Sequence, residues 1–310
     1  MILIGGENLV DMIQTETGNG DMTFSALPGG SCYNVAMALG RQGVSTGYAT
    51  PISTDSLGHM LADRLIDSDV TLLADRVNAP TSLAVVTLND GQPSYQFYRN
   101  RTAERLINLS DLNSFAMRDV KAFHIGGLAV IAGVDANIWT EFFVSMKNQQ
   151  VLTALDPNVR AMLIHDREDY LSRLQLLLSH ADVVKLSDED LGWIIPDKSL
   201  DDAFEEIATM TNAALLVLTE GAKGCRVRTV EFEIAVAASP VDKIVDTVGA
   251  GDTFMASILA GLSKAGALTR SEINELSEEQ VTKIFKRAAL AAAINCGRSG
   301  CNPPRADELA

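Results

Sequence analysis

Four residues, Gly249-Ala250-Gly251-Asp252, stand directly in front of a segment that is apolar almost all the way round. Phe254, Met255, Ile258, Leu259 and Leu262 make a broad apolar face, and Ala256, Ser257 and Gly261 fill the rest. That is the pattern of a buried helix. The first N–H groups of a helix have no intrahelical partners, so a buried start is costly unless something accepts hydrogen bonds from them. An anion does so, and the helix dipole favours it. The two glycines let backbone come close to a ligand with no Cβ in the way. Two questions follow: which anion is bound, and why a carboxylate, Asp252, sits among groups suited to a negative ligand.

The elements that position these residues can be read from the spacing of apolar runs. Strands are expected at 1–5, 121–126, 151–156, 182–186 and 214–219, with helices between them at 34–42, 57–67, 136–149, 168–179 and 201–211. Near-continuous apolar strands separated by helices specify a parallel sheet covered on both faces. Two segments depart from this. Residues 82–88 and 94–99, joined by Asn89-Asp90-Gly91-Gln92-Pro93, carry a hairpin signal, with Tyr95 and Phe97 alternating against polar neighbours. Residues 11–27 contain a Gly-Asn-Gly turn and form a second candidate. The expectation is one α/β domain over 1–310, doubly wound and mainly parallel, with a small β-sheet lid inserted at about 11–27 and 82–100.

Ligands of open parallel sheets sit beyond the C-terminal ends of the strands. The residues there are Asp156-Pro157-Asn158-Val159-Arg160, Ser187-Asp188-Glu189-Asp190, Thr219-Glu220-Gly221, and Asp246-Thr247 leading into the glycine turn. Carboxylates, hydroxyls and glycines thus recur along one rim, a composition suited to a polyanion with a metal cation. No Walker-type phosphate loop occurs, nor a protein-kinase signature.

The totals narrow the class. The chain has 310 residues, 47% hydrophobic and 21% charged, the balance of an ordinary soluble globular protein. A net charge of −15 argues against a nucleic-acid partner. It also means that a phosphate ligand is held by local dipoles and a cation, against the field of the whole protein. No apolar run approaches the ~18 residues of a membrane span. The start, MILIGGENLVDMI, lacks the basic region of a signal peptide and reads as a first strand. Cys32, Cys225, Cys296 and Cys301 show no paired spacing, so a reducing cytoplasm is expected.

Two motifs carry a resemblance. Gly29-Gly30-Ser31-Cys32-Tyr33-Asn34-Val35-Ala36 resembles the N-terminal signature of the PfkB (ribokinase-like) carbohydrate kinases, and Asp246-Thr247-Val248-Gly249-Ala250-Gly251-Asp252 their C-terminal one. The likeness runs from GENLVDMI to the tail INCGRSGCNPPRADEL. KLSDED, DPNVR and FYRNRTAER look more like fructokinases than like ribokinases or adenosine kinases.

The resemblance implies phosphoryl transfer from ATP with Mg2+ to a sugar hydroxyl, with fructose to fructose 6-phosphate first and ribose or 2-keto-3-deoxygluconate as alternatives. Asp252 would accept the hydroxyl proton; an ordinary Asp has a pKa of ~4, and the helix start is expected to push it lower. N–H groups around Gly249, Ala250 and Gly251 would hold the charge of the transferred group, each such donor being worth ~10²–10³ in rate. Asp11, Gly30 and Asn34 would bind sugar hydroxyls, and Arg99 the sugar or its product. Ser187 and Asp190 fall where the family has Asn-x-x-Glu, so Glu189 or Asp190 would act on magnesium through water. Thr219 and Gly221 would line the nucleotide site, with Asn295 near adenine. Asp246 and Thr247 resemble the start of a monovalent-cation (K+) loop completed near Arg298 to Cys301. A homodimer through the lid is also implied, whose exposed sheet edge invites pairing.

Other readings compete. A catalytically silent sugar-binding regulator would share the fold. A nicotinamide-binding dehydrogenase would need a third glycine where Phe254 stands, and room for the rest of a dinucleotide-binding half. On sequence alone Asp11 reads equally as a turn residue, Asn34 as a helix cap, and Arg160 as a phosphate ligand or a local ion-pair partner.

Overall fold

In a computed structural model, which describes residues 1–15, 22–89 and 92–309, the chain builds thirteen strands and ten α-helices. In order they are β1 (Ile2–Ile4), β2 (Leu9–Thr15), β3 (Thr23–Gly29), α1 (Ser31–Arg41), β4 (Thr46–Tyr48), α2 (Ser56–Ile66), β5 (Val70–Leu72), β6 (Ser82–Asn89) and β7 (Gln92–Tyr98). Then come α3 (Leu109–Ala116), β8 (Ala122–Gly126), α4 (Val134–Asn148), β9 (Leu152–Asp156), α5 (Arg167–His180), β10 (Val183–Ser187), α6 (Asp188–Ile194) and α7 (Leu200–Met210). The last are β11 (Leu215–Thr219), β12 (Cys225–Arg228), β13 (Glu233–Val236), α8 (Ala250–Lys264), α9 (Arg270–Asn274) and α10 (Glu278–Cys296).

Nine strands form one sheet in the order β13-β12-β11-β10-β9-β8-β1-β4-β5. From β11 to β5 every pairing is parallel, and β12 and β13 close the other edge antiparallel. The five expected strands fall at β1, β8, β9, β10 and β11. Each is buried along nearly its whole length, because helices cover both faces. Two separate apolar clusters fill the two faces. One holds α1, α8 and α10, with the Phe254 and Phe285 rings 6.0 Å apart. The other holds α4, α5 and α7, with Phe123 against Phe142 and Trp139.

The lid is a second sheet, ordered β3-β2-β6-β7. Its two antiparallel hairpins join through the parallel pair β2–β6, which sets Asp11 beside Ala84. The turn residues expected at 18–20 and 90–91 lie outside the described residues. Asp11 is therefore a mid-strand residue rather than a turn residue.

Helix α8 meets the expectation of near-complete burial, being buried from Asp252 to Leu262. Fully burying a large aliphatic or aromatic side chain is worth ~1.5–3 kcal/mol. The apolar face of α8 therefore fixes its position, and its N-terminus with it, far more firmly than helix propensity could. Helix α1 packs alongside and is buried from Ser31 to Gly40.

A cavity shared by two sheets

The C-terminal ends of the strands and one face of the lid enclose a cavity of about 1390 Å³. Asp11, Gly30 and Asn34 line it together with Ser187, Glu189, Asp190, Thr219, Gly221, Asp246, Thr247 and the whole Gly249–Asp252 turn. Residues separated by most of the chain thus converge, because β2, β10, β11 and the starts of α1 and α8 all end at one rim. Arg99 and Asn295 do not line it. The Arg99 guanidinium is held by Glu104, with Nε 2.9 Å and Nη2 3.1 Å from the carboxylate. Asn295 is fully buried and braces the chain instead: its Nδ2 donates to the Val248 carbonyl and its Oδ1 accepts from the Asn302 N–H, both at 2.8 Å.

Gly249 caps α8 in the left-handed region at φ 75°, and a Cβ there would lie 2.3 Å from the Cys301 sulfur. Only glycine fits. The Ala250 N–H donates to the Thr247 carbonyl at 3.2 Å and is not available to a ligand. The Gly251 and Asp252 N–H groups have no acceptor among the described residues, and no side chain caps the helix. Two donors therefore face the cavity where the dipole is positive.

The Asp252 carboxylate is held from three sides. Ser31 Oγ donates to Oδ1 at 2.7 Å and Asn34 Nδ2 donates to Oδ2 at 2.8 Å. Asn158 Nδ2, on a residue with φ 41°, stands 3.5 Å from Oδ1. Asn34 is thus neither a cap nor committed to solvent: it lies inside α1 and orients the carboxylate. The helix start was expected to lower the Asp252 pKa, but burial raises it and outweighs the Asn34 and Ser31 hydrogen bonds. Asp11 behaves alike, pushed up to about 6 by burial despite the charge of Arg160. Gly29 leaves room for it, since a Cβ there would come within 2.2 Å of Asp11 Oδ2.

Asp190 completes a capping box with Ser187 at the start of α6, accepting from the Ser187 N–H at 2.9 Å while its own N–H donates to Ser187 Oγ at 3.0 Å. Its other oxygen accepts from the Val159 N–H at 2.6 Å. Each Asp190 oxygen thus already accepts one backbone N–H, which fixes the carboxylate in place, whereas the exposed Glu189 lies on the cavity with no such bond among the described residues. Asp246 bridges two segments, with Val248 N–H 3.0 Å from Oδ1 and Gly300 N–H 2.9 Å from Oδ2. The tail is thereby tied to the loop before α8.

Sequence reasoning put Asn158 at the rim and Ser31 in a motif without giving either a role, and it assigned nothing to Lys185. Lys185 alone had a clear signal, a lysine inside an otherwise apolar strand, since a lysine that is fully buried is almost always paired. Its Nζ lies 2.8 Å from Asp156 Oδ2, and both side chains are buried. Arg160 and Lys185 are the only cationic side chains on the described cavity, against Glu7, Asp11, Asp188, Glu189, Asp190, Asp246 and Asp252. Arg160 also turns back onto the Asn158 carbonyl and side chain.

Comparison with known proteins places this arrangement. The pfkB family carbohydrate kinase model matches residues 2–308. A fructokinase of Rhizobium leguminosarum bv. trifolii is 35% identical over 280 residues, covering 90% of this chain and 85% of that protein. Fructokinase of Xylella fastidiosa with bound ATP superposes with a TM-score of 0.88 at 25% identity, covering 99% of this chain and 96% of the other. Fructokinase of Vibrio cholerae O395, in a form with fructose, ADP and calcium ion bound, gives 0.80 at 25% identity over 97% and 94%. Two signature motifs meeting in one cavity, and similarity along almost the full length, have one explanation: this chain belongs to the pfkB family of carbohydrate kinases.

Proposed function

We propose that the protein transfers the γ-phosphoryl group of ATP to fructose, giving fructose 6-phosphate. One observation carries this reading: the oriented Asp252 carboxylate lies at the same helix start as two unpartnered N–H groups, within a cavity that also holds Asp11. The N–H groups would bind the transferred phosphoryl group, and Asp252 would orient the sugar hydroxyl and take its proton as the oxygen bonds phosphorus. Ser31 and Asn34 hold the carboxylate before substrate arrives, so little reorganisation is left for the reaction. Asp11 and Gly30 would meet the other sugar hydroxyls, and Thr219 and Gly221 the nucleotide.

The carboxylate excess fits a triphosphate that arrives with Mg2+. Glu189 would hold the ion directly or through water and Asp190 through water, the metal supplying charge neutralisation at the phosphates. Asp246, Thr247 and the Gly300 backbone suit a monovalent cation such as K+, which would stiffen the loop that presents Gly249. The chain would act as one domain in the cytoplasm and pair through the open edges of its lid, where Tyr95 and Tyr98 stand 46% and 51% exposed. Among the described residues no helix is long and apolar enough to cross a membrane.

The test is ADP release from ATP and Mg2+ with fructose, ribose and 2-keto-3-deoxygluconate, beside Asp252→Asn. Turnover with fructose that is lost in the variant supports the reading. Binding of a sugar without turnover in the unmodified protein would instead support the silent regulator.

A further inference from the structure

Lys185 is a lysine on a buried strand with only 5% of its side chain exposed. A buried ammonium needs its N–H groups satisfied, yet Asp156 Oδ2 is its only hydrogen-bond partner among the described residues. Its Nζ faces the cavity immediately beside the anion cradle: a Cβ built on Gly251 would stand 3.5 Å from it. Asp156 is also incompletely used, because its buried Oδ1 has no partner among the described residues. The carboxylates of Asp156, Asp190 and Asp252 surround the ammonium and keep it charged against the cost of burial. His124 is held neutral by burial and by this same charge. The pair is therefore more than a structural bridge. It is a fixed positive charge with unfilled donors, aimed at the place where a phosphate would lie.

We propose that Lys185 is a catalytic residue, donating a hydrogen bond to the transferred phosphoryl group, with Asp156 as the positioning residue that holds it there. The inference rests on the phosphotransfer reading given above and adds a donor to it. In the step, the sugar oxygen forms a bond to the γ-phosphorus and the bond from phosphorus to the bridging oxygen breaks, its electron pair leaving with ADP. The hydroxyl proton passes to Asp252. Lys185 keeps its proton throughout and acts by charge and hydrogen bonding alone. Such a pre-placed donor is worth ~10²–10³ in turnover.

The experiment compares the unmodified protein with Lys185→Met, Lys185→Arg and the double variant Lys185→Met/Asp156→Asn. Removing one member of a buried pair leaves an unpaired charge, whereas replacing both removes that penalty. The double variant therefore regains the thermal stability that Lys185→Met loses. If Lys185 contacts the phosphoryl group, kcat falls about 10²-fold or more in both Met variants, with KM for fructose changed by less than about threefold. Affinity for ADP with aluminium fluoride and fructose, a mimic of the transferring group, falls in parallel while affinity for ADP alone does not. Lys185→Arg retains part of the activity. A stable double variant that turns over like the unmodified protein, or an unchanged affinity for the aluminium fluoride complex, overturns the proposal. Should the unmodified protein phosphorylate no sugar, the phosphotransfer reading fails by itself. The ratio of ATP to ADP affinity then tests Lys185 separately: an equal ratio in the unmodified and double-variant proteins overturns it.

Discussion

Gly251→Ala should separate stability from activity. Gly251 is the second residue of α8, is exposed, and does not have a left-handed backbone. A Cβ there meets nothing nearer than Lys185 Nζ at 3.5 Å, an ordinary van der Waals distance. The unliganded fold therefore accepts alanine. Replacing a helical glycine by alanine stabilises by roughly 0.5–1 kcal/mol, a gain of about 1–2 °C in Tm for a chain of this size. The same methyl group stands on the cavity wall beside the Gly251 N–H, where a phosphate oxygen must approach to about 2.9 Å. Losing that approach should lower kcat by ~10²–10³, or ~2.7–4 kcal/mol of transition-state stabilisation. Scanning calorimetry and an ADP-release assay on the same preparation read both effects. If Gly251→Ala turns over within a few-fold of the unmodified protein, the phosphate does not sit on this turn. If its Tm falls by several degrees, the described geometry around Gly251 is wrong. Gly249→Ala is the contrasting control: with φ 75° and Cys301 sulfur 2.3 Å from the added carbon, it should lose stability as well as activity.

Further outcomes follow from the carboxylates and from the lid. Because Asp11 is pushed up to about 6 and Asp252 is also raised, kcat/KM should decline below about pH 6 rather than near 4, and Asp11→Asn should alter that limb in a pH-rate profile. Asp252→Asn should melt above the unmodified protein at pH 7–8. The ionised form of a carboxylate with a raised folded pKa is the penalised one, so the gap should close as pH falls through that pKa; a constant gap would refute this. Ser31→Ala removes the 2.7 Å bond to Oδ1, so the acid limb should move to higher pH and kcat should fall roughly tenfold. Light scattering at micromolar concentration should give a dimer, and Tyr95→Lys/Tyr98→Lys a monomer; a monomeric unmodified protein removes the lid interface.

Legibility varied with how much of the physics was local. The five central strands read directly as short apolar runs, because burial on both faces leaves no polar positions to disguise them. β4 and β5 have only three residues each, too few to establish a period. β12 hides for another reason: Cys225 and Val227 point inward while Arg226 and Arg228 pair outward with Glu220 and Glu233. The glycine turn and Asp252 were legible as residues contiguous in sequence. What the side chains do to one another was not. Ser31 and Asn34 reach Asp252 across more than two hundred positions, and nothing local says that Asn295 would brace Val248 instead of facing a base. The sign of the Asp252 shift was also out of reach, since it depends on burial by the whole fold.

Most helices here carry a cap of their own. Asp166, Ser187, Ser199, Thr269 and Ser277 each accept a backbone N–H at the start of α5, α6, α7, α9 and α10. Helix α1 begins on Gly30 and borrows its acceptor, Glu7 Oε1, which takes the Ser31 N–H at 2.7 Å. Helix α8 begins on Gly249 and has none among the described residues. In the empty protein the first amides of α8 should thus be among the quickest to exchange with solvent deuterium, although the rest of that helix is core. A bound phosphate would supply the missing acceptor. It would slow that exchange and stabilise the whole fold by mass action, by ~2.7 kcal/mol at a hundredfold excess over Kd. Substrate would in that sense finish the folding of the helix that acts on it.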